Sequence, residues 1–159
     1  MSNITVPPRP RIVGGKRTFT IVASKFNAEF VQGLVNHTSD ELRAISTSAI
    51  VSLHQVPGAF EIPIVVRELA LQKKTDVIIA IGVILKGRTK HAEHLARSVT
   101  DALQRIAIDH GVPVINVVLS MDNELQARER CLGDKINRGT EAARAAFEIA
   151  NVMQEVRGK

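Results

Sequence analysis

The sequence has no tryptophan and no tyrosine, and its aromatics are five phenylalanines. Single-stranded nucleic acid is held on repeated stacking rings, so a general nucleic-acid binder is disfavoured. Cys131 is the one cysteine. It makes no internal disulfide and no cysteine-based zinc cage, and it suits a reducing compartment. No apolar run reaches the roughly 18 residues of a membrane helix, so no membrane partner is expected. Residues 1–17 lack the apolar stretch of a secretory leader, so none is expected. Lysine and arginine form no block beyond pairs such as Lys73-Lys74.

What is present describes an ordinary globular chain. It has 159 residues, 45% of them hydrophobic and 23% charged. That length fits a single domain, on a loose prior of about 150 residues each. Lys plus Arg is 21 against 16 Asp plus Glu, a net charge of +5. A dispersed basic excess favours anionic partners, and a small phosphorylated substrate fits it better than a polyanion.

Residues 1–17 carry Pro7, Pro8, Pro10 and Gly14-Gly15. They read as an extended, poorly ordered arm, followed by one domain over 18–159. Residues 18–23 (TFTIVA) are β-branched and apolar, the pattern of a buried strand. The spacing of Phe30, Leu34, Leu42 and Ile45 predicts a helix over 29–44. Residues 48–55 read as a second strand, and Pro57-Gly58 turns the chain. A helix follows over 61–73, where Pro63 is tolerated in the first turn. The unbroken apolar run 77–85 (VIIAIGVIL) reads as a strand covered on both faces. A long helix over 89–110 stops at Gly111. Residues 112–120 are another buried strand, Asp122 or Asn123 can cap a helix to about Leu132, and a last helix spans 139–156. Alternating βα units imply an α/β fold with a mainly parallel sheet and right-handed crossovers.

In open α/β sheets ligands bind beyond the carboxyl ends of the strands. The segments there are Ser24-Lys25-Phe26-Asn27, Val56 to Glu61, Lys86 to His91, and Met121-Asp122-Asn123. Gly82 to Thr89 nearly matches the phosphate-loop pattern GxxxxGK[ST], with Arg88 in the lysine slot. Val83, Ile84 and Leu85 belong to the strand, however, and a planar Arg does not replace Lys. What survives is weaker. A glycine and a hydroxyl ahead of a helix N-terminus form a phosphate seat.

His91 follows in the first turn. Imidazole is the side chain that titrates closest to neutrality, so it is the candidate proton carrier; the alternative is a solvated histidine on a polar face. His94 lies one turn on, but the glutamate between them is misplaced for a zinc HExxH motif, so no metal is expected. His37, His54 and His110 read as structural or exposed. Glu61 is either a first-turn carboxylate favoured by the helix dipole or an acceptor for a polyol. Arg128 and Arg130 flank Glu129 on what reads as a solvated face. Cys131 reads as a small buried residue.

These segments resemble the 6,7-dimethyl-8-ribityllumazine synthase family over about residues 19–153. The likeness is carried by Phe26-Asn27, VPGAFEIP at 56–63, GVILKGRTKH at 82–91, GVPVI at 111–115, NELQARER at 123–130 and NRGTEAA at 137–143. The resemblance implies a flavodoxin-like three-layer sandwich around a four-stranded sheet. It implies a cytoplasmic, cofactor-independent transferase of riboflavin biosynthesis. That enzyme condenses 5-amino-6-(D-ribitylamino)uracil with 3,4-dihydroxy-2-butanone 4-phosphate, releasing phosphate and water.

It further implies that Phe26 stacks on the pyrimidine, with Asn27 beside it. Ala59, Phe60 and Glu61 would meet the ribityl chain, and Val83, Ile84 and Leu85 would offer backbone groups to the pyrimidine edge. Gly87, Arg88, Thr89 and Arg130 would hold the phosphate, and His91 would be the general acid/base, with Arg130 a second catalytic group. Asn116 and Arg138 would approach the site, some of these groups from a neighbouring subunit. The implied assembly is a pentamer or a multiple of it with shared active sites, and riboflavin synthase is an implied partner. Arg88, Ala92, Asn116 and Arg138 depart from the family's usual residues. They frame an alternative, a non-catalytic lumazine- or flavin-binding paralogue on the same scaffold.

Overall fold

A computed structural model of the chain describes residues 6–12 and 15–158. Four strands, β1 Thr18–Ser24, β2 Ile50–Val56, β3 Val77–Leu85 and β4 Val114–Met121, form one sheet in the order β2-β1-β3-β4. Every pairing is parallel. The helices are α1 Ala28–Ile45, α2 Ile62–Gln72, α3 His91–His110, α4 Glu124–Ala127 and α5 Arg138–Val156.

Strand parity sorts the core into two layers. Phe19, Ile21 and Ala23 of β1 pack with Ile79 and Ile81 of β3 beneath α1 and α5. There the Phe19 and Phe147 rings meet at 4.7 Å between centroids and a 54° tilt. Val22 of β1, with Ile78 and Ala80 of β3, packs instead beneath α2 and α3. The central strand β3 is buried on both faces, which is why its sequence shows no polar alternation. The result is the expected three-layer flavodoxin-like sandwich, with all four strands parallel.

Element edges moved where backbone chemistry overrode apolar pattern. Pro113 has no N–H for the sheet, and β4 begins one residue later; the Pro113 carbonyl still accepts from Ile78 N at 3.0 Å. The helix α3 begins at His91 rather than at residue 89, since Thr89 stays in the preceding turn and its Oγ1 accepts from His91 N at 3.4 Å. It ends at Gly111 with φ 68°, a left-handed conformation that glycine adopts without strain. Asn123, not Asp122, caps the next helix by accepting from Gln126 N at 2.8 Å. That helix continues as a π-turn, Arg128–Leu132.

Asn137 ties this turn to α5. Its Oδ1 accepts from Gly139 N at 2.8 Å and Thr140 N at 3.2 Å, and its Nδ2 donates to the carbonyls of Cys131 at 3.1 Å and Gly133 at 2.9 Å. With 1% of its surface exposed, truncation strands buried groups that water cannot reach. Asn137→Ala is expected to cost about 3 kcal/mol and lower Tm by about 6–12 °C in a thermal melt.

The arm is tied down in part. Arg9 forks onto Glu41 of α1 with two bonds of 3.0 Å, and Arg144 of α5 reaches the same carboxylate at 2.6 Å and the Pro7 carbonyl. Burial works to raise the Glu41 carboxyl, but the hydrogen bonds from Arg9 and Arg144 outweigh it and hold the group below its ordinary 4.5. A depressed carboxyl stabilises the fold above its unfolded pKa and loses that contribution as pH falls through the folded value. Glu41→Gln is therefore expected to lower Tm by about 2–6 °C at pH 7, with the gap from wild type closing as pH drops below 4.5.

Candidate functional site

The chain leaves β1 through a strained corner. Asn27 sits at φ 58°, ψ 48°, a left-handed conformation that non-glycine residues rarely take. Such strain persists where surrounding bonds over-determine it. Here Asn27 Nδ2 donates to the Val83 carbonyl at 2.7 Å, pinning the corner to β3. The corner turns Phe26 outward, where its ring is 73% exposed. Asn27 is thus a brace as well as a wall of the site.

A second corner follows β2. Residues 59–61 form a single 3-10 turn, and Gly58 N donates to Glu61 Oε1 at 3.0 Å. Glu61 therefore holds the turn with one carboxylate oxygen, and Phe60 stands 68% exposed beside it. Between these corners and the start of α3 lies an apolar cleft of about 400 Å³, within the size range of small-molecule sites. Phe26, Asn27, Ala59, Phe60, Val83, Ile84, Leu85 and His91 all line it. Gly58, Ala92, Leu95 and Ser24 line it too, and sequence reasoning gave none of these a binding role. The signal for Leu95 was its place one turn beyond His91. The signal for Ser24 was its parity with Val22.

Beside the cleft is a polar hollow of about 700 Å³ lined by Lys86, Gly87, Arg88, Thr89, Lys90 and Arg97, the last with Nη2 4.0 Å from the Glu93 carboxylate that also lines it. It adjoins the first turn of α3, whose N–H groups carry the positive end of the helix dipole. Cations and helix end together favour an anion there. Gly82 to Leu85 are strand, as expected, so the near match to the phosphate-loop pattern is no loop. At the rim Lys86 Nζ meets Asp122 Oδ1 at 2.6 Å. This bond lifts the lysine above its ordinary pKa and holds the aspartate below its own, with Arg130 adding to the latter.

Four expected site residues line neither the cleft nor the hollow of this subunit: Glu61, which stands on the turn beside the cleft, and Arg130, Asn116 and Arg138. Arg130 sits on the π-turn, within electrostatic reach of Asp122. Asn116 lies mid-strand in β4, donating to Thr100 Oγ1 at 3.2 Å and accepting from Val118 N at 2.9 Å. Arg138 opens α5, 7% exposed, with Nη1 on Glu141 Oε2 at 2.6 Å. Arg128 pairs with Glu29 at 3.0 Å and lies over the Phe30 ring. Cys131 is buried, and desolvation pushes its thiol up to about 12, which makes it unreactive.

Fold and cleft together define a class: an α/β enzyme that takes small molecules at the carboxyl edge of a parallel sheet. The model of the 6,7-dimethyl-8-ribityllumazine synthase family matches residues 16–154. The chain is 37% identical over 139 residues to the 6,7-dimethyl-8-ribityllumazine synthase of Thermococcus kodakarensis, covering 87% of this chain and 88% of that one. It is 37% identical over 144 residues to the enzyme of that name from Leptothrix cholodnii, covering 90% and 91%. With its counterpart from Gloeobacter violaceus it shares 38% over 144 residues, covering 87% and 79%. The chain belongs to the 6,7-dimethyl-8-ribityllumazine synthase family.

Proposed function

We propose that the cleft and hollow together carry the family's condensation, joining 5-amino-6-(D-ribitylamino)uracil to 3,4-dihydroxy-2-butanone 4-phosphate. One observation carries the reading: an apolar cleft with a stacking ring and an anion-binding hollow meet at the first turn of α3, where His91 stands. The uracil stacks on Phe26, and backbone groups of Val83, Ile84 and Leu85 meet its edge. The ribityl chain runs past Ala59 and Phe60, and the free oxygen of Glu61 accepts from its hydroxyls. The phosphate lies against Gly87, Arg88 and Thr89.

Much of the rate then comes from holding two reactants together. The 5-amino group of the uracil attacks the ketone and one water leaves. Once phosphate is eliminated, the ribityl-bearing nitrogen attacks the remaining carbonyl and a second water leaves as the ring closes, with His91 moving the protons. Cations at the phosphate oxygens stabilise the charge that develops as phosphate departs. The chemistry needs no redox step and no metal or organic cofactor.

Arg130, Asn116 and Arg138 do not line their own subunit's cleft. We place them at a neighbour's site in a homo-oligomer, a pentamer or a multiple of one. The edge strand β2 supports such contacts, since Ile50 and Leu53 stand 42% and 44% exposed on it. Riboflavin synthase, which consumes the product, is the proposed functional partner. A single buried thiol suits a reducing cytoplasm.

The test is direct. Purified protein is mixed with both substrates and a chelator, and lumazine absorbance is followed against the uncatalysed background. Formation well above background is expected. A rate equal to background, with lumazine or riboflavin still bound, would replace the enzyme reading with a binding protein.

A further inference from the structure

One polar side chain lining the cleft has no part in the condensation assigned to the other lining groups. Ser24 ends β1 and lines the cleft while only 2% exposed. Like Val22 before it, Ser24 faces the α2–α3 layer. Around its hydroxyl the structure puts hydrocarbon. A Cβ built on Gly82 of β3 would lie 3.2 Å from Ser24 Oγ and 3.4 Å from Ile62 Cδ1. Glycine at 82 leaves the space in front of the hydroxyl open. Among the described residues none hydrogen-bonds this hydroxyl.

The hydroxyl is not one of the fully enclosed polar atoms without a partner, so it keeps some accessible surface, and Ser24 lines the cleft. A ligand that displaces water from it has to supply its hydrogen bond. The charged groups Lys86, Arg88 and Lys90 line the neighbouring hollow and not the cleft floor. The partner is therefore a neutral donor or acceptor rather than an anion.

We propose that Ser24 is a substrate-binding residue whose Oγ hydrogen-bonds a neutral polar atom of the ribityl-bearing uracil at the floor of the cleft. This rests on the reading of the cleft as the uracil site. The bond fixes how deep and at what angle the uracil enters. Apolar walls alone, being non-directional, do not set these.

The experiment measures binding of 5-amino-6-(D-ribitylamino)uracil by calorimetry, with thermal melts alongside. If wild type does not bind it, the reading of the cleft fails, and this proposal with it. If wild type binds, Ser24→Ala should weaken affinity about 5- to 10-fold, the value of one neutral hydrogen bond. Tm should not fall, because no protein partner loses a bond. Steady-state kinetics should show the loss mainly in KM for the uracil, with KM for the butanone phosphate unchanged. Ser24→Cys fills the same space with a weak hydrogen-bonding group, and a similar loss is expected. Unchanged affinity in Ser24→Ala, or wild-type affinity in Ser24→Cys, overturns the proposal while leaving the cleft reading intact. Repeating the titration with 5-amino-6-(pentylamino)uracil, which lacks the chain hydroxyls, locates the partner. A loss that persists assigns it to the ring edge, and a loss that disappears assigns it to the ribityl chain.

Discussion

His91→Ala is expected to lower kcat about 100-fold while changing either KM less than about threefold. The imidazole lines the cleft at its junction with the anion hollow, and it is exposed to solvent. General acid–base groups contribute about 10²–10⁴-fold. An exposed proton carrier belongs at the low end of that range, because water and buffer can stand in for it. Two further readouts follow. Small imidazoles added to His91→Ala should restore part of the rate, and rate should depend on buffer concentration in the variant but not in wild type. Turnover in the variant within a factor of two of wild type would remove His91 from its role, and catalysis would then be positioning alone.

Arg130→Ala should raise KM for the butanone phosphate about 100-fold, with KM for the uracil nearly unchanged. A guanidinium grips a phosphate by two parallel bonds, so Arg130→Lys should recover only part of the loss. The more telling test uses two variants together. Arg130 does not line the cleft of its own subunit, and the proposal has it act on a neighbour's. His91→Ala and Arg130→Ala are each crippled alone. Unfolded together and reassembled at equal ratio, they should recover about a quarter of wild-type activity, since that fraction of sites draws an intact His91 and an intact Arg130 from different subunits. No recovery, in assemblies shown by mass to be mixed, would place both groups in one subunit. Light scattering on wild type alone should give at least the mass of a pentamer.

Much of the fold was legible because the signals are local. The nine apolar residues of β3 could only be a strand covered on both faces, and the structure spans the same residues, 77–85. Gly111 ended α3 because a left-handed residue was needed there. Boundaries were less legible where a side chain had two possible partners. Asp122 and Asn123 were equal caps by residue type. Lys86, 36 positions earlier, takes Asp122 into an ion pair and leaves the cap to Asn123. Nor did the pattern of residues 122–132 show that the helix would widen into a π-turn.

The site divides in the same way. Phe26, Asn27, Ala59, Phe60, His91 and the Gly87-Arg88-Thr89 segment come together around the cleft and hollow because each lies in a segment that follows a strand, and parallel strands deliver their ends to one edge. Their order along the chain and their chemistry are written in the sequence. The sequence by itself therefore determined the α/β class, the family and the edge of the sheet at which the cleft opens. Tertiary structure decided what each group has left to give. Asn27 spends its amide on Val83, and Glu61 spends one oxygen on Gly58. Arg138 commits its Nη1 to Glu141, while Ser24 lines the cleft with no bond from its hydroxyl to another described residue. A side chain's type fixes which bonds it can make. Only the packing of distant segments fixes which of them are already made, and so which remain for a substrate.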